Sequence, residues 1–289
     1  MTIATIDIGG TGIKFASLTP DGKILDKAST PTPETLEDLL AWLDQRLSER
    51  DYRGIAMSVP GAVHQETGVI EGISAIPYIH GFSWYEALSH HKLPVHLEND
   101  ANCVGLSELL AHPEIENAAC VVIGTGIGGA MIINGKLHRG HHGLGGEFGY
   151  MTTIEPAEKL NNWSQLASTG SMVRYVIEKS GQSDWDGRKV YQEVAASNTL
   201  CKEAIERMNR NLAQGLLNIQ YLIDPDVISL GGSISQNPDF IKGVQKAVDA
   251  FVDRYEEYTI APVIQACTYQ ADANLYGALV NWLQEENQW

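Results

Sequence analysis

Four short stretches carry residue types that could do chemistry. In TIDIGGTGIKFASL, residues 5–18, Asp7 stands at the end of an apolar run and Gly9, Gly10, Thr11 and Gly12 follow it. In LENDAN, residues 97–102, Glu98, Asn99 and Asp100 are packed together just before a helical pattern. In VVIGTGIGGAMII, residues 121–133, Gly124, Thr125, Gly126 and Gly128 form a second glycine tip. In HRGHHGLGGEFGY, residues 138–150, Glu147 lies between glycines in a loop that also holds His138, His141 and His142.

Glycine tips expose consecutive backbone N–H groups with no Cβ to hold a ligand away. Such concavities bind phosphate oxygens. One glycine hairpin is most simply a tight turn, but two in one chain, each with a threonine in the tip, point to phosphate. The second tip resembles a dinucleotide fingerprint, yet that fingerprint needs a helix after the glycines. Here AMIING follows and reads as a strand turning at Asn134-Gly135, which excludes that reading. Asp7 beside a phosphate makes sense with Mg²⁺ between them through water, because Mg²⁺ keeps its waters. The plainer alternative is an aspartate capping its own turn. Asp100 or Asn99 suits an N-cap, and a carboxylate in that place could also accept a hydroxyl proton during phosphoryl transfer. Glu147, if ionised, can accept two sugar-hydroxyl hydrogen bonds, or it is a solvated loop acid. The three histidines lack a helical frame and nearby acidic or thiolate ligands, so they read as surface imidazoles rather than a metal site.

These residues need a frame. Residues 2–8 and 13–18 read as strands around the first tip, with 22–29 as a third strand. Leu36, Leu39, Leu40, Leu43 and Leu47 repeat at helical spacing within 30–50. Residues 54–63 form a buried strand entering a Pro-Gly turn, and 93–112 read strand, then Glu-Asn-Asp, then helix. Helices are expected within 160–180, 200–223, 238–254 and 270–286, and strands at 226–235 and 262–269. The stretches 6–16 and 123–133 share one plan: apolar strand, Gly/Thr tip, apolar strand. That echo suggests two related α/β halves.

Composition bounds the partners. The chain has 289 residues and a formal net charge of −16, which opposes nucleic acid and anionic membrane surfaces. No apolar run reaches the ~18 residues of a membrane-spanning helix. The N-terminus enters a strand pattern and lacks a signal-peptide plan. Cys103, Cys120, Cys201 and Cys267 are scattered with no C-x-x-C pair, so a reduced, cytoplasmic setting is expected.

Taken in order, these motifs resemble the ROK family of sugar kinases and repressors. Asp7-Ile8-Gly9-Gly10-Thr11 resembles its first phosphate loop, and Val59-Pro60-Gly61 its sugar-side turn. Residues 98–102, with Glu108 beyond, resemble its catalytic segment. Residues 124–129 resemble its second phosphate loop, 145–149 its sugar loop, and Leu230-Gly231-Gly232 its adenosine-contacting turn. The resemblance implies a two-lobed actin-like ATPase (ribonuclease H-like) fold, each lobe a mixed sheet with flanking helices. Residues 1–115 plus 271–289 would form a small lobe, and 116–270 a larger one. It implies an ATP- and Mg²⁺-dependent kinase acting on a hydroxyl, the 6-OH, of a hexose or hexose derivative, glucokinase-like. Asp100 would be the general base. Gly61, Asn99 and Glu147 would join it at the sugar. Gly9, Gly10, Thr11, Gly124, Thr125, Gly126, Gly128, Gly231 and Gly232 would line ATP, and Asp7 would place Mg²⁺ through water. Lys14 would reach a phosphate or make a strand-surface ion pair. Members are often dimers, so a homodimer is expected.

Two departures from the family pattern stand out. Tyr150 replaces a histidine that many members carry after the sugar loop, and the cysteines of their zinc site are missing, so no structural zinc is expected. Ser164, beside Gln165, falls where a sugar-binding glutamate is usual. Two hydroxyl partners are thus gone, and His141, His142, Tyr150 or Ser164 are the candidates to replace them. The sugar itself stays open among glucose, fructose, mannose, N-acetylmannosamine and β-glucosides. A sugar-sensing repressor is disfavoured, since Asp7 leaves no room for a preceding helix-turn-helix segment. A non-catalytic sugar-binding protein is the alternative to a kinase.

Overall fold

The computed structural model describes residues 2–154, 160–254 and 256–289. They divide into two compact units: residues 1–114, 136–145 and 271–289, and residues 115–135 and 146–270. The two units are of nearly equal length, not one small and one larger. The expected boundaries also differ by one excursion, since residues 136–145 belong with the first unit.

The first unit is built on strands β1 (Ile3–Ile8), β2 (Gly12–Leu18), β3 (Ile24–Pro31), β4 (Gly54–Val59) and β7 (Val95–Asn99), in the order β3–β2–β1–β4–β7. A short hairpin, β5 (Ala62–His64) and β6 (Val69–Glu71), lies between β4 and β7 in sequence. β1 pairs antiparallel with β2 and parallel with β4, and β4 pairs parallel with β7. β1 and β4 are buried along their whole length because both faces of the sheet are covered there, whereas the edge strand β3 is largely exposed. Ile6, Phe15, Met57 and Leu97 pack with Leu39 and Leu43 of helix α1 (Leu36–Ser48) and with Trp84 of helix α2 (Trp84–Ala87). Thr35 caps α1 by accepting from the Asp38 N–H. Helix α3 (Asp100–Ala111) follows β7 directly.

The second unit repeats this plan. β8 (Ala118–Ile123) pairs antiparallel with β9 (Ile127–Ile133) and parallel with β10 (Val227–Gly231), which pairs parallel with β11 (Ile264–Ala266). The echo between residues 6–16 and 123–133 is therefore one of topology: β8 and β9 hold the places of β1 and β2. The core gathers Val121, Ile123, Ile228 and Leu230 with side chains of α4 (Trp163–Ala167), α5 (Thr169–Ser180), α6 (Gly187–Ala195), α7 (Thr199–Ile223) and α8 (Pro238–Val252).

Helix α9 (Ala273–Glu285) closes the first unit. Its Leu275, Leu279 and Trp282 pack on Ile3, Leu18 and Ala56, the face opposite α1. A Cβ at Gly277 would lie 1.7 Å from the Cys103 carbonyl oxygen, so α9 crosses α3 at a spacing only glycine permits. Among the described residues no helix is long and apolar enough to cross a membrane.

The expected helix over 160–180 is two helices, broken at Ser168, which caps the second through the Ser171 N–H. Helix α6 and the β5–β6 hairpin were not legible: the first is short and polar, and the second consists of three-residue strands.

Candidate functional site

In the first unit, the ends of β1 and β7 bring two carboxylates to one cavity of about 480 Å³. It is lined by Asp7, the turn Gly9–Gly12, Lys14, Pro60, Asp100 and Asn274. Asp7 is 6% exposed. Its Oδ1 accepts from Asn274 Nδ2 at 2.8 Å and from Ser58 Oγ at 3.4 Å, and its Oδ2 accepts from Lys14 Nζ at 3.1 Å. Lys14 thus makes the ion pair, on the neighbouring strand position that register dictates, and also donates to the Ala271 carbonyl at 2.6 Å. Asn274 carried no sequence signal, because α9 reaches Asp7 only through the closing fold.

The first glycine turn is pinned from behind. The Gly9 N–H donates to the Gly12 carbonyl at 3.1 Å, and Thr32 Oγ1 donates to the Gly9 carbonyl at 2.5 Å. Gly10 and Thr11 at the tip are exposed. Amides at such a tip stay available to an anion.

β7 delivers the Glu98-Asn99-Asp100 segment. Asn99 caps α3: its Oδ1 accepts from the N–H of Ala101 at 2.9 Å and of Asn102 at 3.2 Å. Its Nδ2 donates to the Gly61 carbonyl at 3.1 Å, and Gly61 holds φ at +108°. Asp100 is the first residue of the helix, not its cap, and its side chain is left to the cavity wall. Burial pushes its carboxyl above the usual aspartate range, and the negative charge of Asp7 adds to this. The Ala101 N–H, donating to Asp100 Oδ1 at 2.8 Å, pulls the other way.

Beneath this segment lies an ion pair that sequence reasoning missed. Glu98 is 2% exposed. Its Oε1 accepts from the Asn99 N–H and from Asn102 Nδ2, both at 2.8 Å, and its Oε2 accepts from Arg139 Nε at 2.6 Å. Arg139 Nη2 also donates to Asn281 Oδ1 at 2.8 Å and Glu285 Oε1 at 3.0 Å. No local pattern tied position 139 to position 98. The one available signal was a lone arginine in a glycine- and histidine-rich loop. His141 and His142 are exposed, with rings 4.5 Å apart.

In the second unit, Gly124, Thr125 and Gly126 join β8 to β9. Gly124 N–H donates to the Gly126 carbonyl at 2.9 Å. The outward carbonyls are taken up at the start of α5: Gly170 N–H donates to Gly124 O at 3.2 Å, and Ser168 Oγ to Thr125 O at 2.9 Å. Among the described residues neither the Thr125 nor the Gly126 N–H has a hydrogen-bond partner. Gly128 lies within β9, opposite Val122.

Ser164 is spoken for. Its Oγ accepts from the Ile127 N–H at 2.9 Å and donates to the Ile127 carbonyl at 3.2 Å. A Cβ on Gly149 would sit 2.0 Å from Ile127 O and 2.3 Å from Ser164 Oγ. Ser164 therefore fastens the base of the second glycine turn to the loop that carries Glu147, and its hydroxyl is committed to the backbone. Gln165, beside it, accepts from the Asn162 N–H at 3.0 Å and completes the capping box of α4. Glu147 precedes a 3₁₀ turn, Phe148–Tyr150, and Tyr150 is 71% exposed. Gly231 ends β10 and is buried. Gly232 has φ +88°, and a Cβ there would lie 2.1 Å from Ile123 O. Its missing side chain admits β8, whatever else approaches the turn.

The four cysteines are buried and form no disulfide, and Cys120 and Cys267 approach each other with sulfurs 3.7 Å apart.

Comparison with known proteins gives one family. The ROK family model matches residues 3–285. A beta-glucoside kinase of Listeria monocytogenes is 34% identical, with 100% of this chain and 99% of that protein covered. A beta-glucoside kinase of Klebsiella pneumoniae is 31% identical over 98% of this chain and 97% of that protein. A crystal structure of a ROK family protein from Streptococcus pneumoniae TIGR4, in complex with sucrose, is 88% identical and superposes with a TM-score of 0.97 over 100% of both chains.

Proposed function

This chain belongs to the ROK family, and we propose that it is an ATP-dependent kinase that phosphorylates a hydroxyl, the 6-OH, of a glucosyl unit carried in a glycoside. The observation that carries the chemistry is the cavity shared by Asp7, the first glycine turn and Asp100. It unites backbone amides for phosphate, hard carboxylate oxygens of the kind Mg²⁺ takes, and a proton acceptor. ATP with Mg²⁺ supplies the phosphoryl group when bound.

Asp100 takes the hydroxyl proton as the oxygen attacks. Its raised pKa suits a general base better than an ordinary aspartate, since proton transfer is most effective when the acceptor's pKa lies nearer the working pH. Asp7, held by Asn274, Lys14 and Ser58, is a fixed anchor for the metal. Gly10 and Thr11, with Thr125 and Gly126, offer amides to the phosphates, and Gly231 and Gly232 adjoin the adenosine. Asn99, Gly61 and Glu147 bind the sugar. ATP as donor and four cysteines outside any disulfide suit a cytoplasmic enzyme.

The glycoside preference rests on two lines. Tyr150 and Ser164 stand where two hydroxyl ligands are usual, and Ser164 has given its only hydrogen to the Ile127 carbonyl, so it has none to donate to a sugar. A sugar with one oxygen capped as a glycoside asks for fewer partners. The relatives named as beta-glucoside kinases and the sucrose complex agree with that.

The test is a panel of glucose, methyl β-glucoside, cellobiose and sucrose with ATP and Mg²⁺, read by ADP release and product mass. Glycosides should gain one phosphoryl group with kcat/KM above that of free glucose. Glucose as the best substrate would overturn the glycoside preference. Sugar binding without ADP release from any sugar would favour the sensing protein over the kinase.

A further inference from the structure

We propose that Asp44, His90 and His91 form a binding site for one divalent transition-metal ion, of the kind imidazole ligands select. Asp44 lies on α1. His90 and His91 lie in the 3₁₀ turn Ser89–His91, which Lys92 ends in a left-handed conformation, φ 55°. That turn aims both rings at one atom. His90 Nε2 is 3.0 Å and His91 Nε2 2.7 Å from Asp44 Oδ1, and the ring centroids are 4.1 Å apart. All three donor atoms lie within 4.8 Å of one another, and no other such group occurs among the described residues.

Two imidazoles converge on one carboxylate oxygen, which gathers three metal-type donors around one point. Without a metal each ring donates from Nε2, which a neutral imidazole can do. A single divalent ion can take the place of those two protons. Each neutral ring moves its proton to Nδ1 and presents the Nε2 lone pair, and Asp44 supplies the third ligand with its negative charge. Tetrahedral ligation at ~2.0–2.1 Å holds donor atoms about 3.3 Å apart. The observed spacings are short of that by a few tenths of an ångström. His90 and Asp44 are solvent-accessible enough to make the adjustment, with side-chain exposures of 56% and 45%, and His91 is the more fixed at 16%. The fourth position is open to water. Two imidazoles and one carboxylate favour Zn²⁺, Ni²⁺ or Cu²⁺ over Mg²⁺ and Ca²⁺.

The ion would join α1 to the segment that enters β7, the strand ending in Asn99 before Asp100. It would therefore stiffen the first unit at the strand that leads into the proposed base.

The test uses the full-length protein after chelator treatment, titrated calorimetrically with Zn²⁺ at neutral pH, with thermal melts alongside. One ion per chain should bind, with micromolar affinity, and raise the melting temperature. Asp44→Ala and His91→Ala should each weaken binding about tenfold or more, with unchanged circular dichroism in the absence of metal. The double variant His141→Ala/His142→Ala should bind as the wild type does. Absence of saturable Zn²⁺ binding by the wild type would overturn the proposal. So would wild-type affinity in the double variant His90→Ala/His91→Ala.

Discussion

Arg139 donates its Nε–H to Glu98 at 2.6 Å, and the other oxygen of Glu98 holds the N–H of Asn99. The residue next to the proposed base is thus fixed, through the buried carboxylate of Glu98, by an arginine 41 positions beyond that glutamate in sequence. Arg139→Ala leaves Glu98 charged and unpaired. We expect a loss of about 3 kcal/mol in urea unfolding, the lower end for a broken buried pair, because Arg139 remains 28% exposed. Arg139→Lys should recover only part of this, since an ammonium cannot serve Glu98, Asn281 and Glu285 with the geometry of a guanidinium. A wild-type midpoint for Arg139→Ala would show that the pair holds nothing in place.

Asp100 should cost stability where it is ionised. Its folded pKa is raised, so the native state binds the proton more tightly than the unfolded chain does. The penalty is absent below the unfolded pKa, grows as pH rises toward the folded pKa, and is complete above it. Asp100→Asn should therefore melt higher than the wild type at neutral pH, and the gain should vanish in acid below both values. The same variant should lose sugar phosphorylation by ~10²–10⁴-fold, the usual worth of a general base. Melts at two pH values and one turnover assay check both halves.

Two glycines separate packing from ligand contact. At Gly232 a methyl group would meet the Ile123 carbonyl at 2.1 Å in a left-handed backbone, so Gly232→Ala should lower the melting temperature sharply. At Gly124 a Cβ meets nothing within 4 Å. Gly124→Ala should fold normally, and a rise in the KM for ATP in that variant would report contact with the nucleotide.

Ser164→Ala removes both bonds to Ile127 and leaves a buried N–H without a partner. The cost should be about 1–3 kcal/mol. If Ser164 aligns the second glycine turn, the KM for ATP should rise as well. A variant that loses sugar affinity alone would assign the hydroxyl to the sugar instead.

The glycine tips, the strand-to-helix step at residues 98–100 and most of the sheet strands were legible because each is a local pattern. The period of two or of 3.6 and the turn residues sit within a dozen positions of one another. What stayed hidden was non-local. Asn274 meets Asp7, and Arg139 meets Glu98, only because α9 and the excursion 136–145 belong to the first unit. Lys14 was read with two alternatives and takes the ion pair, since register sets it opposite Asp7. The cluster of His90 and His91 with Asp44 escaped notice for the same reason: the carboxylate is a helix away in sequence. Ser164 looked like a sugar contact by position, yet the bonds to Ile127 are made by a strand that only the fold brings near.

The cap on α3 leaves Asn99 a restricted vocabulary. Both lone pairs of its oxygen go to Ala101 and Asn102, and one of its two amide hydrogens goes to Gly61. The remaining hydrogen bears on Asp100, so this side chain can at most share that hydrogen with an incoming alcohol and can never receive from it. Any hydroxyl that settles there must turn its own hydrogen toward another acceptor, and the adjacent position in the chain is an aspartate.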